Sequence, residues 1–167
     1  MTPGSEQPAI SGPDSDSWCT PEWLCELLGT FDLDPCSNAR SRVRAMFRAF
    51  EHQDGLSLDW RAYAQAGASP SVFVNPPYSS PLPWCRKLRA HDGPWVALLK
   101  LDPTTKWHAE LVAAGAAFAP FRKRIKFDRP DKPPLTANFP SVLVWRHWTP
   151  SEALIEHLWI TKTGART

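Results

Sequence analysis

The apolar run Ser71-Val72-Phe73-Val74, followed at once by Asn75-Pro76-Pro77-Tyr78, constrains this chain more than any other stretch. Valine and phenylalanine in a short unbroken run read as a buried strand over residues 72–75. The two prolines must end it, because neither has an N–H to give to a ladder. An amide, a stiff turn and an aromatic ring therefore stand at the strand's carboxyl end. The Asn75 side-chain oxygen and the Pro76 carbonyl can both accept hydrogen bonds from an exocyclic NH2. Pro77 stiffens the turn, and Tyr78 offers a face on which a base can stack. Such a corner suits holding a planar amino group for methylation. The plainer reading is a proline-rich loop with Tyr78 as a packed aromatic.

Strands and helices alternate along the rest of the chain. Residues 31–34 read as a strand ending in Asp34 and closed by Pro35-Cys36-Ser37-Asn38, residues 95–101 as a second buried strand, and residues 116–121 as another. Thr20 as N-cap and Pro21 at the first helical position open a helix that Gly29 ends. Residues 83–91 form an amphipathic helix with Trp84, Cys85 and Leu88 on one side. Thr104 caps a helix running to about residue 114, and Pro150-Ser151 opens a last one containing Leu154, Ile155 and Leu158. Val43, Met46, Phe47 and Phe50 have helical spacing, which predicts a helix within residues 39–50, alone or followed by a short extended piece. Asp54-Gly55-Leu56 is a turn signal. Residues 124–127 and 142–145 are expected to pair as a hairpin across the proline-rich stretch 130–140. The order indicates an α/β layered sheet, whose ligands sit at the carboxyl ends of strands. Asp34, Asn75 and Asp102-Pro103-Thr104 occupy such ends.

At 167 residues, 43% hydrophobic and 22% charged, the chain reads as one globular domain over residues 18–160. Residues 1–17, rich in Pro, Ser, Gly and Asp, read as a disordered tail, and residues 161–167 as a flexible one. No apolar run approaches a membrane span, and no basic start leads into a hydrophobic stretch, so neither an anchor nor a signal peptide is expected and the location expected is cytoplasmic. The four cysteines, Cys19, Cys25, Cys36 and Cys85, lack metal-ligand spacing with the histidines, so no metal is expected. Net charge is only +2, but the cations cluster: Arg40, Arg42, Arg44 and Arg48; Arg86, Lys87 and Arg89; and Arg122, Lys123, Arg124, Lys126, Arg129 and Lys132. Each cluster alone reads equally well as a solvated face. Three together with an amino-group corner favour a phosphate-binding surface.

The order of these pieces resembles the phage-type DNA N6-adenine methyltransferases. The resemblance runs over Trp18-Cys19-Thr20-Pro21, Phe31-Asp32-Leu33-Asp34-Pro35-Cys36-Ser37-Asn38, Asp54-Gly55-Leu56 with Trp60, and residues 72–79 with Trp84. Leu98-Leu99, Thr104-Thr105 with Trp107, residues 122–127 and Val142-Leu143-Val144-Trp145 complete it. It implies a Rossmann-like sheet, reduced in size and with a C-terminal antiparallel hairpin, that uses S-adenosylmethionine to methylate the N6 amino group of adenine in DNA. By that resemblance Asn75, Pro76, Pro77 and Tyr78 are catalytic. Thr20, Pro21, Asp34, Cys36, Asp54 and Asn75 contact the cofactor, and Arg122, Lys123, Arg124 and Lys126 contact DNA. If phage- or prophage-encoded, the protein would act in the bacterial host's cytoplasm, on the modification side of restriction-modification or in regulation.

One departure stands out: residues 34–39, after the first strand, contain no glycine, whereas many methyltransferases place a glycine-rich loop there. Two alternatives stay open at this point. One is methylation of another amino or amide acceptor, in RNA or in protein glutamine. The other is a non-catalytic DNA-binding protein on a methyltransferase fold.

Overall fold

A computed structural model describes residues 13–160. Its centre is a six-stranded mixed sheet in the order β2-β1-β3-β4-β8-β5, beside a two-stranded ribbon of β6 and β7. The strands are β1 (Thr30–Asp34), β2 (Arg44–Arg48), β3 (Val72–Val74), β4 (Trp95–Lys100), β5 (Ala117–Pro120), β6 (Lys126–Arg129), β7 (Lys132–Thr136) and β8 (Ser141–Arg146). β2, β1, β3 and β4 are parallel, and β8 runs against both β4 and β5. The carboxyl ends of β1, β3, β4 and β5 therefore share one edge of the sheet.

The central strands are apolar on both sides, as a sheet covered on two faces requires. In β4, Val96 and Leu98 join a core with Leu24 of α1 (Glu22–Leu28) and Leu154 of α4 (Glu152–Ile155). Trp95, Ala97 and Leu99 pack on the other face against Leu88 of α2 (Leu82–Ala90) and Leu111 of α3 (Lys106–Ala113). Helices thus cover both faces in a layered α/β arrangement.

Four expectations are corrected. First, residues 39–50 hold no helix: residues 35–43 cross directly to β2, which pairs with β1 as an edge strand. Met46 and Phe47 are 64% and 47% exposed, so their helical spacing marked no buried face. Second, residues 142–145 do not pair with 124–127. Buried β8 inserts between β4 and β5, and β6 turns back on β7 through Asp131, whose φ of 54° closes a tight turn. A strand buried on both sides gains more in the sheet than in an exposed ribbon. Third, α3 is capped by Thr105, whose hydroxyl accepts from the His108 N–H, while Thr104 donates both its N–H and its hydroxyl to the Asp102 carboxylate in the turn before it. Fourth, Pro21 rather than Thr20 is the N-cap of α1. A short 3-10 turn, Pro13–Ser17, precedes Trp18, where order is expected to start. The remainder of the two expected tails lies outside the described residues.

Candidate active site

β3 is hydrogen-bonded on both sides, so its carboxyl end delivers Asn75 into the middle of the sheet edge. There the Asn75 amide nitrogen donates to the Thr20 hydroxyl at 3.2 Å, which fixes the amide plane. The Asn75 oxygen is buried and has no hydrogen-bond partner, and the same holds for the Tyr78 hydroxyl. Of the five buried side-chain atoms without a partner among the described residues, these two belong to one tetrapeptide. A buried polar atom left unpaired costs about 1–3 kcal/mol, so the corner is built to be completed by something else. Burial holds the Tyr78 hydroxyl well above its ordinary titration range, so this side chain is a neutral phenol and not a base. Its ring packs edge-on against Phe127 (6.1 Å) and Phe139 (5.2 Å).

Two cavities flank the corner. The first is lined by Asn75, Pro77, Thr20, Asp34, Cys36 and Asp54. It measures about 210 Å³, against the roughly 10–15 Å³ that one water needs. Chain-distant residues expected at one site are thus brought together; Pro21 is not among the lining residues. Tyr78 lines a second cavity with Leu99, Lys100, Asp102 and Trp107. Trp84 adjoins the first cavity and Trp107 the second, while His108 packs beside Phe118 (4.7 Å).

The first cavity is acidic. Asp16, Asp34, Glu51 and Asp54 line it, and among the described residues no Lys, Arg or His does. Asp34 is 2% exposed at the end of β1, and burial pushes its carboxyl up from 3.8 to about 7, although the Cys36 N–H donates to it at 3.2 Å. Asp54 is exposed, has a φ of 43° and accepts from the Ser57 hydroxyl. Burial also raises the thiols, Cys25 and Cys85 to about 12, and all four cysteines are free. Neutral thiols are poor nucleophiles and poor metal ligands. Among the described residues no cluster of His, Cys, Asp and Glu is placed to hold a metal, and no helix is long and apolar enough to cross a membrane.

The glycine missing from the loop after β1 has a counterpart elsewhere. A Cβ on Gly55 would lie 1.7 Å from the Pro35 carbonyl oxygen, so only glycine lets the two loops touch. Glu51 and Phe50 lie just beyond β2 in the cavity wall, where the sequence, which predicts a helix alone or followed by a short extended piece over residues 39–50, marks no site residue. Sequence reasoning also missed Asp16, which accepts from the Ser79 N–H (3.1 Å) and hydroxyl (2.5 Å). No local signal marks that contact, since its partners are far apart in the chain.

Arg122, Lys123, Arg124 and Lys126 are exposed on the segment that leads from β5 into β6. Arg122 also has structural work: its Nε donates to the Leu158 carbonyl at 2.8 Å, and its guanidinium lies 4.9 Å from the Trp159 ring centre.

No curated protein and no solved structure matches the chain. A family model described as DNA N-6-adenine-methyltransferase (Dam) matches residues 7–159. Because that match runs through every strand of the sheet and the whole Asn75 corner, the chain belongs to the DNA N-6-adenine-methyltransferase family, and the activity this indicates is methylation of adenine N6 in DNA.

Proposed function

We propose that this chain transfers a methyl group from S-adenosylmethionine to adenine N6, on a Rossmann-like sheet, with Asn75, Pro76, Pro77 and Tyr78 as the catalytic corner. The unpartnered Asn75 oxygen carries the reading: it is a buried acceptor with its amide plane already fixed by Thr20. The adenine amino group is a weak nucleophile because its lone pair is delocalised into the ring. Asn75 Oδ1 and the Pro76 carbonyl would take the two N6–H bonds, drawing them out of the ring plane and localising the lone pair on nitrogen. As the N–C bond forms, the donor's S–CH3 bond would break to release neutral S-adenosylhomocysteine, and one N6 proton would leave to water. Positioning supplies much of the rate in such a scheme. The base must leave its duplex to reach the corner, and it would be held against Tyr78 from the side of the second cavity.

The four carboxylates of the first cavity support the choice of cofactor. S-adenosylmethionine carries a sulfonium and an ammonium against a single carboxylate, so it is a net cation, and an acidic wall without bases suits it. When bound, it supplies an electrophilic methyl group. Asp34 and Asp16 would hold its ammonium, Glu51 its ribose hydroxyls and Asp54 its adenine amino group, with Phe50 against the adenine ring. Thr20, Pro21 and Cys36 would close the methionine end. Arg122, Lys123, Arg124 and Lys126 would meet DNA phosphates along the same sheet edge. A DNA substrate puts the protein in the cytoplasm, that of the bacterial host if a phage or prophage encodes it.

The test is incubation with methyl-labelled S-adenosylmethionine and DNA, RNA or protein, followed by digestion and product identification. Labelled N6-methyladenine from DNA, lost in Asn75→Ala, is the expected result. Label in RNA or glutamine but not in DNA would replace the acceptor. Cofactor binding with no transfer to any of the three would overturn the catalytic role.

A further inference from the structure

Two basic clusters that are far apart in the chain meet in the fold. Arg40 and Arg42, on the crossover from β1 to β2, face Arg129 and Lys132 of the β6–β7 ribbon across a third cavity. Among the described residues, Asp128 is the only acidic one in its wall. Cys19 lines both this cleft and the acidic cofactor cavity, and its backbone exchanges hydrogen bonds with Asp128 at 2.9 and 3.2 Å. A single wall therefore separates a negative cavity from a positive one.

We propose that this cleft binds the sugar–phosphate backbone of the DNA strand whose adenine is methylated; the proposal rests on the DNA methyltransferase reading above. Guanidinium forks match phosphate oxygens two at a time, and three of the four cations here are arginines. Arg129 is held for such a contact, since its Nε donates to the Pro133 carbonyl at 2.8 Å and fixes the plane of the fork. Arg40 pairs with Asp131 and Arg42 with Glu22, each at 2.6 Å, but all four partners are more than half exposed. Solvent-exposed pairs of this kind are weak, so a phosphate can displace the carboxylates.

The position favours the reacting strand over a free anion. Phe127 packs on Tyr78, and Arg129 stands two residues further along the same strand, about 7 Å. That is about two base-pair steps of duplex at roughly 3.4 Å each. A strand with its base against Tyr78 would pass the cleft within a few nucleotides. The family resemblance points instead to the segment over residues 122–126, where Arg122 is engaged by Leu158 and Trp159.

The test is the salt dependence of duplex binding by the full chain, compared with Arg40→Ala/Arg129→Ala and with Arg61→Ala as control. Arg61 pairs with Asp92 after α2, away from the carboxyl ends, and takes no part in the site. Each lost phosphate contact should flatten the slope of log K against log salt by about 0.9. Between about 50 and 200 mM salt this makes the double variant roughly twelvefold less salt-sensitive than the parent, with Arg61→Ala unchanged. An unchanged slope in the double variant overturns the proposal, as does an equal change in Arg61→Ala. Displacement of DNA by inorganic phosphate, at matched ionic strength and lost in the double variant, would assign the cleft to a free anion instead. Equal binding and equal slope changes with RNA would overturn the DNA assignment. Calorimetry of cofactor binding and the yield of N6-methyladenine in the parent are read separately. A parent that makes no N6-methyladenine sinks the catalytic reading but still lets the slopes decide the cleft.

Discussion

The two cavities that meet at Cys19 have opposite charge: four carboxylates and no base on one side, four cations and a single carboxylate on the other. The difference teaches how a small methyltransferase keeps its substrates apart. On the proposed reading, a cationic methyl donor would be drawn to the first cavity and repelled by the second, and a polyanion the reverse. Beside the acidic cavity sits the Asn75 corner, where on the proposed reading the amino group would meet the methyl group. The polar atoms left without partners there distinguish it from the opposite end of β3. At that end Asp32 accepts from both the N–H (2.7 Å) and the hydroxyl (2.9 Å) of Ser71, and the His91 ring is hydrogen-bonded to the Pro70 carbonyl at 2.8 Å.

Asn75→Ala is expected to have the largest effect. Removing one preorganised acceptor should lower the transfer rate about 10²–10³-fold in single-turnover assays. The salt slope of DNA binding should hold; if it collapses with the rate, Asn75 is a structural residue and not the acceptor for the amino group. Gly55→Ala comes next, because its Cβ meets backbone that no rotamer change can move. Thermal unfolding should show a loss of about 1–3 kcal/mol, and cofactor binding should suffer more than DNA binding. An unchanged melting temperature would mean the Gly55–Pro35 approach does not shape the acidic cavity.

Asp34 gives a pH signature. Its carboxyl is raised to about 7 in the folded protein, so the fold binds this proton more tightly than the unfolded chain does. Stability from this group is fully present below about pH 4 and is lost as pH rises through about 7. A bound cation favours the ionised form. Cofactor affinity should therefore climb by up to about tenfold per pH unit between about 5 and 7 and then level off, with a proton released on binding. Calorimetry in buffers of different ionisation enthalpy reads that proton, and Asp34→Asn should abolish it. A pH-independent affinity in the parent would remove Asp34 from the cation's partners. DNA affinity in the basic cleft should show no such step. The smallest effect is expected of Thr20→Val, which deletes the acceptor for the Asn75 amide nitrogen. Loss of one hydrogen bond, about 1 kcal/mol, predicts a roughly fivefold drop in transfer rate. A rate equal to the parent's would show that Asn75 keeps its orientation without Thr20.

How much was legible in the sequence depended on how local the cause was. β1, β3 and β4 are short runs whose own apolar side chains demand burial, and their polar ends follow directly, so Asp34 and Asn75 could be placed without a partner in view. β2 could not. It is an edge strand with exposed Met46 and Phe47, and only pairing with β1 makes it a strand at all. Glu51 and Phe50 were lost with it. The place of β8 was likewise settled by competition, because a strand apolar on both sides fits both a ribbon and a sheet interior until the sheet offers a gap.

By itself the sequence determined the chemistry of the corner, since an amide, two prolines and a tyrosine after a buried run carry their donors, acceptors and stiffness wherever they stand. It also determined the alternation of strand and helix that puts such corners on one edge. Only the tertiary structure decided which distant groups complete them. Thr20 reaches Asn75 across 55 positions, and Arg40 reaches the β6–β7 ribbon across 91. The physical reason is that charge and hydrogen bonding act over a few ångströms of space and are indifferent to the length of chain between the partners. Two opposite cavities on either side of Cys19 therefore exist only once the sheet has closed.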